Sequence, residues 1–200
     1  MVQTWGEMKV TIGIILAAGA SSRMGSPKAL LETPSGLPLA AYQAALLRAA
    51  GCHEVLVVVG SEAERIAARL PHLAMAVNAN WARGRFSSFQ CGLRARPDAE
   101  GYLILPVDTV GVRVETLAAL LARANECERP AWRPCFRGEP GRALWLGSAL
   151  ASHLREKAPD DLRLDAYLQP LAARMDLDDP ALLANVNTPE EWAQARGALS

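Results

Sequence analysis

The stretch Val10-Thr-Ile-Gly-Ile-Ile-Leu16, continued by Ala17-Ala-Gly-Ala-Ser-Ser-Arg23-Met-Gly-Ser-Pro-Lys28, decides how this chain reads. The apolar run has the composition of a strand buried on both faces of a parallel sheet. The small residues after it form a tight loop containing Gly19 and Gly25. Open parallel sheets bind ligands at the carboxyl ends of their strands, so this loop delivers Arg23 and Lys28 to a binding position. Small residues let backbone N–H groups approach phosphate oxygens, and two nearby cations neutralise several phosphate charges at once. The spacing matches neither the dinucleotide fingerprint G-x-G-x-x-G nor the P-loop G-x-x-x-x-G-K-[ST], so this is a third kind of phosphate loop.

Outward from the loop, strands and helices alternate. Leu37 to Ala50 is apolar at helical spacing and stops at Gly51. Glu54 to Gly60 reads as a buried strand, and Ser61-Glu-Ala-Glu64 as a capping box for a helix reaching Leu70. Leu73 to Val77 and Tyr102 to Pro106 read as further strands. Residues 86 to 96 and Glu115 to Ala124 read as helices. This order predicts an α/β fold, a doubly wound and mostly parallel sheet of Rossmann-like type. Beyond Pro130, Ala131 to Phe136 and Ala143 to Leu146 flank the turn Arg137-Gly-Glu-Pro-Gly-Arg142, which predicts a small antiparallel hairpin near 131–147 on one edge. Helices are expected near 148–157 and 161–173, with Pro170 ending or kinking the second. Thr188-Pro-Glu-Glu191 then starts a last helix with N-cap, proline and glutamate in the preferred order.

The 200 residues are half hydrophobic and only 6% aromatic, which fits one domain over 9–200 with a core of Ala, Leu and Val. Met1 to Met8 is expected to be a loose tail, with Met8 a second candidate start. The order Lys9, Ile12 to Ala18 and Ala18-Gly-Ala20 imitates a signal peptide, but cleavage there would remove the first strand. Basic and acidic side chains balance at 21 each and are interspersed, which argues against a nucleic-acid groove or a polybasic membrane face. No stretch approaches the roughly 18 apolar residues of a membrane span. The cysteines at 52, 91, 127 and 135 include no C-x-x-C pair, which suits free thiols in the cytoplasm.

Three further places carry candidate chemistry. Asp108 follows the strand 102–106 by two residues, at the same sheet end as the loop. It is open to two readings: a ligand for Mg²⁺ joining a carboxylate to substrate phosphates, or a cap for the next turn. Asn185 and Asn187 close a short apolar strand, where an amide oxygen is either a hard metal ligand or a turn former. Ser87 and Ser88 stand where an N-cap is expected, or where hydroxyls at a helix start face a nucleotide.

Four places in order resemble the molybdenum-cofactor-type nucleotidyltransferases, a family that transfers NMP from an NTP. They are Leu16 to Lys28, Asn80-Trp81-x-x-Gly84-x-x-x-Ser88-x-x-x-Gly92, Pro106-Val-Asp108-Thr109 and Asn185-Val-Asn187-Thr-Pro-Glu190. The resemblance implies that Leu16, Ala17, Ala18 and Gly19 hold base and ribose, that Arg23 and Lys28 bind the triphosphate, and that Asp108 binds Mg²⁺. It also places Ser88 against the nucleotide and Asn187 at a second metal-ligand position. Ala17-Ala18-Gly19 is similar to the cytidylyl branch, so CTP is the expected donor and a small phosphorylated acceptor of the molybdopterin type the expected partner. A molybdoenzyme or cofactor-insertion protein is the implied protein partner. Two departures fall on the acceptor side. Gly141-Arg142-Ala143 stands where that branch commonly has Gly-His-Pro, and Asp108-Thr109-Val110 where it often has Asp-Gln-Pro.

Overall fold

A computed structural model describes residues 9–156, 158 and 162–199. The expected tail at 1–8 lies outside the described residues, as do position 157 of the first and position 161 of the second expected helix beyond 147. Among the described residues, eight strands form one sheet: β1 (Thr11–Ala17), β2 (Glu54–Val59), β3 (Ala74–Val77), β4 (Gly101–Pro106), β5 (Ala131–Phe136), β6 (Glu139–Pro140), β7 (Leu144–Gly147) and β8 (Ala172–Asp176). Their order is β3-β2-β1-β4-β7-β5-β6, with β8 also on β5. The first four strands are mutually parallel, Ile15 lying between Val57 and Leu105. β7 is antiparallel to both β4 and β5, and β8 runs parallel to β5. The expected hairpin therefore pairs as predicted but continues the sheet, and β6 and β8 take the edge.

Helices α1 (Leu39–Ala49), α2 (Ala63–Arg69), α3 (Arg85–Ala95), α4 (Val114–Glu126), α5 (Ser148–Glu156), α6 (Leu164–Leu168) and α7 (Pro189–Ala195) cover the sheet. Strand side chains alternate between faces, and the core divides accordingly. Ile15, Leu103 and Leu105 join α1, α2, α4 and α7 in one cluster. Ile12, Ile14, Tyr102 and Ile104 join α3, α5 and α6 in the other. A Cβ on Gly92 of α3 would lie 2.9 Å from Ile14 Cγ2 and 3.1 Å from Val58 Cγ2, both on β-branched side chains with little freedom. Gly92→Ala should therefore overpack this face and destabilise the fold by about 1–3 kcal/mol in chemical denaturation.

Local departures from the sequence reading have physical causes. The Ser61–Glu64 capping box does not form. The Ser61 N–H bonds the Ala18 carbonyl at 3.1 Å, so Ser61 joins the β2 terminus to the loop after β1 and α2 starts after Glu62. Gly84, at φ 103°, is the residue before α3, so neither Ser87 nor Ser88 is its N-cap. The helix expected over 161–173 is confined to α6. Pro170 follows it, and residues 172 and 173 belong to β8, whose composition Ala-Ala-Arg-Met-Asp shows no apolar alternation. No strand precedes Asn185: Pro180–Leu183 is a 3-10 turn capped by Asp179, after which the chain runs extended. The capping box at Thr188 and Glu191 is present in both directions.

Candidate active site

The carboxyl ends of β1 and β4 open into a cleft of about 400 Å³, lined by the loop after β1, the segment around Trp81, and Asp108, Arg142 and Asn187. The loop takes a fixed shape. Ser21 and Gly25 have φ of 49° and 68°, the Met24 N–H bonds the Ser21 carbonyl at 2.8 Å, and the Ser21 hydroxyl accepts the Lys28 N–H at 3.2 Å. Met24 is buried in the core and anchors the loop from below. Gly19 has open space where a side chain would stand, which leaves its backbone accessible to a ligand. Gly60 closes the other wall, because a Cβ there would meet the Ala18 carbonyl and Trp81 Cβ at 2.6 Å each.

Lys28 is the centre of the charged network. Its Nζ donates to Asn187 Oδ1 at 2.9 Å and lies 3.6 Å from Asp108 Oδ2, with the side chain only 12% exposed. Burial lowers its pKa below the ordinary lysine value. Asp108 opposes that shift, and the positive charges of Arg142 and Arg23 add to it. Arg23 is exposed and also lines the cleft. Arg142 grips the other Asp108 oxygen, with Nη2 to Oδ1 at 2.8 Å and Nε to Thr109 Oγ1 at 3.2 Å. Asp108 thus stands between two cations, which is not the arrangement of a simple turn cap.

Two buried side chains hold this arrangement from behind. Gln43, on the core face of α1, donates its amide to the Val107 carbonyl at 3.3 Å and the Thr109 carbonyl at 2.9 Å, the two peptides that flank Asp108. The Asp108 carbonyl itself accepts the Val186 N–H at 2.9 Å, which ties the Asn187 segment to the same turn. Asn78 donates its Nδ2 to the hydroxyls of Ser87 and Ser88 at 2.9 and 3.0 Å, while its Oδ1 accepts the Asn80 N–H at 2.9 Å. Gln43→Met keeps the volume but leaves both flanking carbonyls without this donor. It should lower stability by about 1–3 kcal/mol in chemical denaturation, the cost of leaving buried polar groups unpaired.

The cleft gathers Leu16, Ala17, Ala18, Gly19, Arg23, Lys28, Ser88, Asp108 and Asn187, nine of the residues singled out from the sequence. Asn185 is exposed and is not among the lining residues; its carbonyl instead accepts from Asn187 Nδ2 at 3.0 Å. Arg142 and Gln43 were missed as site residues. A lone glutamine in the apolar helix Leu-Ala-Ala-Tyr-Gln-Ala-Ala-Leu-Leu-Arg-Ala was the available signal for the second. Asp108 Oδ2 and Asn187 Oδ1 converge on a position now held by an ammonium. Two hard oxygens converging on a cation position fit a Mg²⁺ ion that completes its shell with water and phosphate oxygens.

The model of the MobA-like NTP transferase domain matches residues 13–175. Among similar proteins, nicotine blue oxidoreductase of Paenarthrobacter nicotinovorans is 36% identical over 118 residues, which cover 58% of this chain and 57% of that protein. The molybdenum cofactor guanylyltransferase of Xanthomonas euvesicatoria is 30% identical over 191 residues, 91% of this chain and 92% of the relative. This chain therefore spans little more than half of the first relative and nearly all of the second. A nucleotidyl transferase structure from Methanothermobacter superposes with a TM-score of 0.79 at 19% identity, covering 95% of this chain and 97% of the other. At that identity the likeness concerns the fold. On the family match and the full-length likeness to the Xanthomonas relative, this chain belongs to the MobA-like NTP transferase family.

Proposed function

We propose that this protein transfers CMP from CTP to the phosphate of a small molybdopterin-type acceptor and releases pyrophosphate. The observation that carries this reading is the Lys28 ammonium, shared by Asp108 and Asn187 beneath the glycine loop at the ends of β1 and β4. A phosphate oxygen of the acceptor forms a bond to the α-phosphorus as the bond to the bridging oxygen of pyrophosphate breaks. Arg23 and Lys28 hold the triphosphate and stabilise the charge that grows on its equatorial and leaving oxygens. The acceptor phosphate is already ionised at neutral pH, so no side chain has to remove a proton. Asp108 and Asn187 would hold a Mg²⁺ ion, which when bound supplies further positive charge to the phosphates.

Leu16 to Gly19 form the base and ribose wall, with Ser88 opposite on α3. The resemblance of Ala17-Ala18-Gly19 to the cytidylyl branch supports CTP as the donor. A second reading, GTP as donor, is favoured by the full-length likeness to the Xanthomonas guanylyltransferase. We assign 9–200 to a single domain working in the cytoplasm, with a molybdoenzyme or a cofactor-insertion protein as recipient of the product. Incubation with each of the four NTPs, Mg²⁺ and molybdopterin, followed by pyrophosphate assay, tests the reading. Release with CTP is expected. Release with GTP alone moves the donor assignment, and release with none contradicts the transfer reaction.

A further inference from the structure

Thr109 and Arg142 both stand where the chain departs from the cytidylyl pattern, and in the fold they touch. Thr109 is buried, its hydroxyl accepts Arg142 Nε at 3.2 Å, and Arg142 Nη2 donates to Asp108 Oδ1 at 2.8 Å. The backbone beneath the guanidinium is fixed as well. The Arg142 N–H bonds the Leu182 carbonyl at 3.0 Å, the Gly141 N–H bonds the Pro134 carbonyl at 2.8 Å, and Ala143 is fully buried. A Cβ on Gly141 would lie 2.8 Å from that same carbonyl, so the chain is tightly packed on this side. Across the carboxylate, Lys28 Nζ lies 3.6 Å from Oδ2, so each Asp108 oxygen faces its own cation.

We infer that Arg142, held by Thr109, is a positioning residue that reserves Asp108 Oδ1 and offers a metal ion Oδ2 alone, and that this selects Mg²⁺ over Ca²⁺. The inference rests on the Mg²⁺-assisted transfer proposed above and concerns which cation that site accepts.

Geometry and displacement cost point the same way. Mg²⁺ demands near-ideal octahedral geometry at about 2.0–2.1 Å and is satisfied by single oxygens from carboxylate, water and phosphate. Ca²⁺ takes about six to eight oxygens at about 2.3–2.6 Å and readily chelates a carboxylate through both of its oxygens. Here the second oxygen is taken. A cation that chelated Asp108 would have to displace Arg142 Nη2 and break a charge-assisted bond. It would also leave a guanidinium whose side chain is only 25% exposed without its carboxylate. A cation bound through Oδ2 displaces only the Lys28 ammonium, which is then available to the triphosphate. The Thr109 contact on Nε makes the grip two-pointed, so the guanidinium plane keeps its direction when nucleotide enters the cleft.

Calorimetric titration of the whole chain with CTP, in the presence of Mg²⁺ or of Ca²⁺, tests the inference through the ratio of the two dissociation constants. Loss of the Arg142 charge, or a loosened fold, changes binding with both divalent ions alike, so the ratio isolates the geometry. In the wild type, CTP is expected to bind at least about tenfold tighter with Mg²⁺, the equivalent of one charged contact denied to Ca²⁺. In Arg142→Met the preference should fall to within about twofold, and Thr109→Val should lower it in the same direction. A preference unchanged in Arg142→Met, or absent from the wild type although Mg²⁺ strengthens CTP binding, overturns the inference and leaves the transfer reading standing. Where Arg142→Met fails to fold, Thr109→Val decides: an unchanged preference there overturns the inference. CTP binding that neither ion strengthens contradicts the metal assignment in the transfer reading, and this inference with it.

Discussion

In the transfer reaction proposed above, Lys28→Ala is expected to lower kcat/KM for CTP by about 10²- to 10³-fold, the loss that follows when one preorganised charge is removed from a transition state. The size follows from where the ammonium sits. It is largely shielded from solvent, fixed by Asn187 and Asp108, and lies at the sheet end where the triphosphate would bind. Water cannot replace it at that position without a reorganisation cost. The pH dependence follows from the lowered Lys28 pKa, whose largest cause is burial. Between that value and the unfolded value near 10.5, the unfolded chain binds more protons at this site than the native one, so folding stability rises with pH. Over the same window the ammonium that binds phosphate is lost, so CTP affinity falls. Opposite trends in stability and affinity on one alkaline limb, read by denaturation and by calorimetry, mark Lys28. Lys28→Arg, which stays protonated, should remove the affinity trend.

Asp108→Ala has the second large effect. It should abolish the response of activity to Mg²⁺ and lower kcat by about 10²-fold or more. The same change leaves Lys28 and Arg142 without the carboxylate they share. The cleft then carries more net positive charge, so CTP measured without metal should bind as tightly as to the wild type or more tightly. That split, metal response lost while metal-free affinity is kept, distinguishes a metal ligand from a residue that only supports the fold. Lys28→Ala and Asp108→Ala should also be non-additive, because the two side chains interact directly.

The parts of this site legible in the sequence are those whose signal is local. The strand before the loop is a continuous apolar run, and Arg23 and Lys28 are placed by the small residues between them. Asp108 follows its strand by two positions, and Asn187 immediately precedes a capping box that formed as read. What escaped depends on distant pairing. Arg142 reaches Asp108 across 34 positions, and the sequence marked it only as an acceptor-side departure at the end of a hairpin turn. Gln43 acts on carbonyls 64 and 66 positions away, and nothing near it in the chain shows that its helix packs behind the Asp108 turn. β8 escaped because it is short and largely half-exposed, so its strand character comes from its hydrogen bonds to β5 rather than from its own apolar pattern. The serines of α3 were read as caps because Gly84, the actual cap position, has no side chain to show it.

The central claim is that the cleft at the ends of β1 and β4 binds a nucleoside triphosphate through Lys28 and Asp108. Thermal unfolding with ATP, CTP, GTP and UTP, each with and without Mg²⁺, tests it most directly, because a ligand bound only by the folded state raises stability by RT ln(1 + [L]/Kd). At a hundredfold excess over Kd that is about 2.7 kcal/mol. A Mg²⁺-dependent rise with CTP that disappears in Asp108→Ala is the predicted result. No rise with any nucleotide, or an equal rise in Lys28→Ala and the wild type, would contradict the account.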